Sequence, residues 1–227
     1  RDVEQVDKQD DQAAARLLSS ETLEFILTHH SDRPGLSSYL FVLGELIDTW
    51  QHCALRHLER ARMVLRAQFW FMCWQSHIVQ HLDHETSINF ISRESFDIFM
   101  TLCDSLLQLI IVHRHYYPTY PLLPWLHSTK TCEHIFGMLW QLKKDFNYAD
   151  ILHLERKLCS LIQGDLQMLT PQEQECQTAE GYHHTYFHLP DLDMVALLTW
   201  PSDNELFLAS KFTFSEAEQL LGAVGIN

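Results

Sequence analysis

Glycine and proline are scarce, seven of each in 227 residues. That is about half the usual share. An all-β sandwich or barrel, which must turn the chain every few residues, is thereby disfavoured. Positive charge is also in short supply: 16 Lys+Arg stand against 30 Asp+Glu, a net charge of −14. The overall field repels nucleic acid, so any DNA contact has to come from a local basic patch or a neighbouring domain. The six cysteines, at 53, 73, 103, 132, 159 and 176, form no C-x-x-C pair and no dense framework. That pattern fits reduced thiols in an intracellular protein. No Gly-rich phosphate loop and no nucleophile elbow occurs. Long apolar runs are missing too. Phe69–Trp74 and Leu106–Val112 fall far short of the roughly 18 residues that span a bilayer. No signal peptide is visible, and no membrane partner is expected. The first residue is Arg1, so the chain is expected to be a piece of something longer.

What is present is apolar and helical in pattern. Hydrophobic residues make up 46%, enough for a folded core rather than disorder. Leu40, Leu43, Leu46, Ile47 and Trp50 recur at helical spacing, and Leu58, Ala61, Leu65, Phe69 and Met72 continue it to about Leu82. The tract is too long for one ordinary helix, so a break is expected near Gln51 to Ala54. Ser20 would cap a short helix through His29, and Ser31 to Gly35 would form a turn. Ser92 would cap a helix running through Leu106–Val112. Pro118, Pro121 and Pro124 then block helix propagation. Ser128 or Thr129 restarts a helix to about Lys143, and Asn147 caps another from Tyr148 to about Gln163. Capping boxes occur at Thr170/Glu173, Ser202/Glu205 and Ser215/Glu218. No strand-like alternation of useful length appears. The expected fold class is mostly α, with few or no strands. Leu40, Leu43, Ile47 and Trp50 are expected to share one core with Leu106–Val112.

Two clusters suggest chemistry, each beside a plainer reading. Arg56, Arg60, Arg62 and Arg66 fall within eleven residues as two i,i+4 pairs. They could form a DNA-binding stripe of phosphate contacts, provided they share one open face without carboxylate partners. The plainer reading is a solvated helix face partly neutralised by Glu59. Cys73, His77, His81 and His84 would share one face of a continuous helix. Their residue types suit Zn²⁺, but four ligands on one straight helix cannot surround a tetrahedral ion. A polar helix face is the simpler expectation there. His113-x-His115 and His183-His184 are weak signals. Trp70, Phe71, Trp74, Trp125 and Trp140 read as core rather than as base-stacking platforms.

The most informative string is His127-Ser128-Thr129-x-x-Cys132-Glu133-His134-x-Phe136-Gly137, followed by Lys144-Asp145-Phe146. Together with residues 39–66, 181–187 and 200–205, it resembles DDE/RNase H-like transposase-derived proteins of the kind common in fungal genomes. It is more remotely similar to P-element and THAP-type transposases. The resemblance covers about residues 36 to 227. It implies a polar N-terminal segment (1–35), a helical insertion-type bundle (36–115), closing helices of an RNase H-like catalytic domain (116–165) and a helical C-terminal segment (166–227).

By the same resemblance Glu133 is the last of three catalytic carboxylates and a Mg²⁺ ligand. Such chemistry needs hard oxygen ligands for two ions, one activating the attacking hydroxyl and one stabilising the leaving oxygen. The other two carboxylates are expected upstream of Arg1, because Asp48, Asp97 and Asp104 sit inside apolar helical patterns. The implied parent is nuclear or intracellular and cleaves or joins DNA with Mg²⁺. The fragment alone is expected to be catalytically silent, without cofactor and with weak or no nucleic-acid binding. The alternative is a non-catalytic helical protein-interaction module derived from a transposase scaffold, which the −14 charge favours. A homo-oligomer is left open. Glu133 itself is expected in the first turn or two of a helix, at least partly exposed in a cleft; the bland alternative is a Glu that only complements the helix dipole.

Overall fold

The computed structural model describes residues 11–127, 129–168 and 192–226. The described residues are mostly helical and contain no strand. The elements are α1 (Asp11–Leu17), α2 (Ser20–His29), α3 (Pro34–Gln51), α4 (His57–Gln80), α5 (Thr86–Asn89) and α6 (Arg93–Tyr116). A 3₁₀ turn (Pro124–Leu126) follows, then α7 (Thr129–Leu142), α8 (Tyr148–Met168), α9 (Met194–Leu197) and α10 (Asp203–Gly222). The described residues fall into two compact units, residues 13–124 with 193–226, and residues 11–12 with 125–127, 129–168 and 192.

This division groups the residues differently from the segments that the resemblance implies. Residues from 193 onward belong with the large bundle instead of forming a segment of their own, and the break lies after Pro124. The reason is α10, which buries Ala209, Thr213, Ala217 and Leu221 at i,i+4 spacing and packs on α4. Small side chains on such a stripe let two helix axes approach closely.

Helix ends follow local chemistry. α3 stops at Gln51 and α4 begins at His57, so the break falls where the tract was too long for one helix. Ser92 Oγ accepts from the Ser95 N–H at 3.1 Å and opens α6. Asn147 and Asp150 cap α8 reciprocally, each side chain accepting from the other's backbone N–H at 3.1 and 3.0 Å. Ser202 and Glu205 form the capping box of α10. Two readings shift. Ser19, not Ser20, caps α2, accepting from the Thr22 N–H. Ser215/Glu218 opens nothing, because both lie inside the unbroken α10, and an N-cap needs non-helical backbone. The Thr170/Glu173 box, His183-His184 and residues 181–187 lie outside the described residues.

The core of the large unit is built around α4. Ala61, Val64, Ala67, Trp70 and Phe71 meet Val42, Leu43 and Leu46 of α3, Cys103, Leu106 and Ile110 of α6, and Ala217 and Leu221 of α10. Leu43 thus shares a core with the 106–112 run, and Trp50 packs half-buried against it. Ile111 and Val112 do not join; they are 39% and 41% exposed, because α6 turns one narrow stripe toward α4. By length and composition α6 could cross a membrane; here its Cys103–Leu106–Ile110 stripe lies in this core. At Gly44 a Cβ would stand 2.8 Å from the Leu18 carbonyl oxygen. Glycine there lets the segment before α2 cross α3 at backbone contact distance.

The second unit is a helical hairpin. Met138 and Leu139 of α7 and Leu158 of α8 are buried, flanked by Ile135, Leu142, Phe146, Ile151 and Leu154. Its turn places Asp145 at φ 57°, the left-handed region that Asp tolerates better than most side chains. Lys143 pairs with Asp150 across the same turn at 2.6 Å.

Candidate functional site

Glu133 is the fifth residue of α7, in its second turn, with its side chain exposed. Thr129 opens this helix, and Ser128 lies outside the described residues. Cys132 beside Glu133 is exposed as well. Among the described residues no three or more His, Cys, Asp or Glu donors are disposed to hold a metal ion. Nor is there a strand among them. A cleft of about 470 Å³, lined in part by Gln75, Thr86, Phe90, Phe96 and Asp97, lies in the large unit between α4, α5 and the start of α6.

The arginine stripe does not form one open face. Arg60 is fully buried. Its guanidinium donates to the Thr49 carbonyl and, at 2.6 Å, to the His52 carbonyl. These carbonyls belong to the C-terminal end of α3, where oxygens lack intrahelical partners and the dipole is negative. Burial lowers the Arg60 pKa to about 10, so the group stays charged at neutral pH. Arg66 donates to Glu216 at 2.9 Å and to Glu45, tying α4 to α10 and α3. Burial raises the Glu45 carboxyl pKa, against the pull of Arg66. Arg60 and Arg66 are therefore internal fasteners rather than phosphate contacts. Arg56, just before α4, and Arg62 are exposed. Glu59 accepts from the Arg56 backbone N–H at 3.2 Å.

A buried junction escaped sequence reasoning. His57 is fully buried at the start of α4. Its Nε2 lies 2.8 Å from the Leu197 carbonyl, so that nitrogen carries the proton and donates. Its Nδ1 is buried without a partner. The ring stacks on Trp200 at 4.6 Å and 8°, and His113 approaches the same indole at 6.0 Å. Trp200 Nε1 donates to the Pro118 carbonyl at 3.1 Å, and Arg114 bonds Pro201 and Asp203. Burial pushes the His57 pKa down; the Leu197 carbonyl opposes this, and the positive charges of Arg60 and His113 add to it. The one available signal was position: His57 lies four residues before Ala61, on the face that becomes core.

The tryptophans divide. Trp70 is core, with Nε1 donating to Ser38 Oγ at 3.1 Å, and Phe71 is fully buried. Trp74 and Trp125 are half-buried, while Trp140 on α7 is 68% exposed. The histidines at 77, 81 and 84 do not sit on one straight helix. α4 ends at Gln80 with His81 as its cap, and His84 returns over a turn in which its N–H meets the His81 carbonyl at 3.2 Å.

No family model matches the chain, and neither the curated proteins nor the solved structures contain a significant match.

Proposed function

We propose that this chain is a helical protein-interaction module, derived from a transposase scaffold as the motif resemblance implies. Its contact surface is the outer face of the α7–α8 hairpin, and its first partner is a second copy of the chain. One observation carries this reading. Phe136 and Trp140 of α7, and Tyr148 and Leu152 of α8, are two apolar i,i+4 pairs that stand 51%, 68%, 76% and 57% exposed. Large apolar side chains grouped at helical spacing mark binding surfaces far more than scattered ones do. Charge supports self-association. Residues 129–168 hold five Lys/Arg and five Asp/Glu, while the whole chain carries −14. This face meets its own copy without the repulsion that the rest of the surface would impose.

The test is sedimentation of the full chain at rising concentration, beside the variant Phe136→Glu/Trp140→Glu. A concentration-dependent dimer that the double variant abolishes is the expected result. A parent that stays monomeric to about millimolar concentration, the weak end of specific binding, refutes the reading.

The second reading is Mg²⁺-dependent DNA strand cleavage or transfer by a longer parent. The exposed place of Glu133 in the second turn of α7 supports it. In an active parent, Glu133→Gln would abolish strand cleavage and leave thermal stability unchanged. Cleavage that survives the substitution removes Glu133 from the site.

A further inference from the structure

The end of α4 brings three imidazoles together. His77 lies in the last helical turn, and His81 caps the helix, its N–H bonding the His77 carbonyl at 3.0 Å. The chain then turns through Leu82 and Asp83, and His84 comes back toward the helix axis. The ring centroids stand 5.4 Å apart for His77–His81, 5.7 Å for His77–His84 and 4.6 Å for His81–His84. Around a tetrahedral Zn²⁺ with Zn–N of about 2.0–2.1 Å, ligating imidazole centroids stand about 5 Å from one another. The triangle of rings already has the size of a three-histidine site. His81 is exposed and the other two half-exposed, so an ion can reach all three.

We propose that His77, His81 and His84 bind one divalent transition-metal ion of the zinc class, as its three protein ligands. Their nitrogens do not converge as the rings stand. Binding therefore requires rotation about χ1 and χ2 to aim them at a common point. The objection that one straight helix cannot surround an ion no longer holds, because His84 lies beyond the helix end. Neutral imidazole suits zinc, copper and nickel, and discriminates against magnesium and calcium. A three-histidine site does not need Cys73, which is half-buried one turn before His77. Three ligands leave the fourth position to water or an incoming group. The ion would clamp the C-terminal end of α4 to the turn that leads into α5, beside the cleft lined by Gln75 and Thr86.

The test uses the full chain stripped with EDTA and titrated with Zn²⁺ by calorimetry, then with Co²⁺ by visible absorption. One equivalent should bind with micromolar or tighter affinity, and Co²⁺ should show the intense bands of a tetrahedral site. His84→Ala lies in the turn, outside α4, and should weaken binding about 100-fold. His81→Gln should do the same, whereas His115→Ala should change nothing. Zn²⁺ should raise the melting temperature of the parent and leave that of His84→Ala unmoved. Absence of a saturable single equivalent overturns the proposal. So does binding that both His84→Ala and His81→Gln leave intact, which would assign the ion to other histidines among the fifteen.

Discussion

Replacing Arg60 by methionine separates its two contending roles. Methionine keeps most of the aliphatic stem's volume and removes every donor. Two bonds from a charged group, to the Thr49 and His52 carbonyls, are each worth about 1.5–3 kcal/mol, and a carbonyl left buried costs about 1–3 kcal/mol. Against this stands the desolvation of the guanidinium, several kcal/mol, which methionine does not suffer. The net loss is expected at about 2–4 kcal/mol. Arg60→Ala adds an unfilled cavity and is expected to cost a further 1–2 kcal/mol or so. For a bundle of about 150 residues, Arg60→Met then lowers Tm by roughly 5–12 °C. The assay is thermal and urea unfolding of the full chain, with DNA binding at low salt alongside. A phosphate-contacting arginine behaves oppositely: its loss leaves the melt unchanged and reduces the salt slope by about one unit. If Arg60→Met melts within about 1 °C of the parent, the fastener argument fails.

Gly44→Ala drives a Cβ to within 2.8 Å of the Leu18 carbonyl and is expected to cost about 1–3 kcal/mol. An unchanged urea midpoint would show that the crossing gives way freely. His57 carries a pH signature. Its folded pKa lies below the ordinary 6.5, so the unfolded chain takes up the proton first as pH falls. The stability it contributes is complete above about pH 6.5 and is lost as pH drops from there through the folded pKa. His57→Phe keeps the ring against Trp200 and should flatten the fall in Tm between about pH 7.5 and 5.5; parallel curves for parent and variant would assign the fall to other groups. Trp50 is half-buried, with its Nε1 lacking a partner. Trp50→Ala should cost about 2–4 kcal/mol and Trp50→Phe under about 1, and equal losses in denaturant melts would show that the indole N–H is not idle.

The helices were legible because their signals are local. Capping residues announce themselves within four positions, as Ser92, Asn147 and Ser202 do, and the α3–α4 break follows from tract length alone. What was not legible depends on which face each helix turns inward. Arg60 and Arg66 read as half of a charged stripe. Yet Arg60 reaches back eleven residues to the open carbonyls of α3, and Arg66 meets a carboxylate 150 residues away. Which partners these arginines meet is set by how α3, α4 and α10 pack, and local spacing does not carry that. His57 was hidden in the same way, since Leu197 lies 140 residues on. The histidines failed for the opposite reason. Their spacing was read as one continuous helix, and the helix ends one residue before His81.

The motif Cys132-Glu133-His134-x-Phe136-Gly137 was legible as a string, and its place on α7 sets what it can mean. Met138 and Leu139 are the α7 side chains buried in the hairpin core. Cys132, Glu133, Phe136, Gly137 and Trp140 are all exposed. Side chains on an exposed helix face contribute little to stability, so their chemistry remains available for contact with something else. A carboxylate and two large aromatics on one short helix serve different contacts, and of the aromatics Phe136 also stacks on Phe146 at the core's edge, at 6.2 Å. If self-association depends on Phe136 and Trp140 while Glu133→Gln leaves it intact, the aromatics bind protein, and the carboxylate is left for a metal or for nothing. If Glu133→Gln instead disrupts self-association as strongly as the aromatic substitutions do, Glu133 belongs to the protein contact, and the resemblance to a catalytic glutamate is one of position alone.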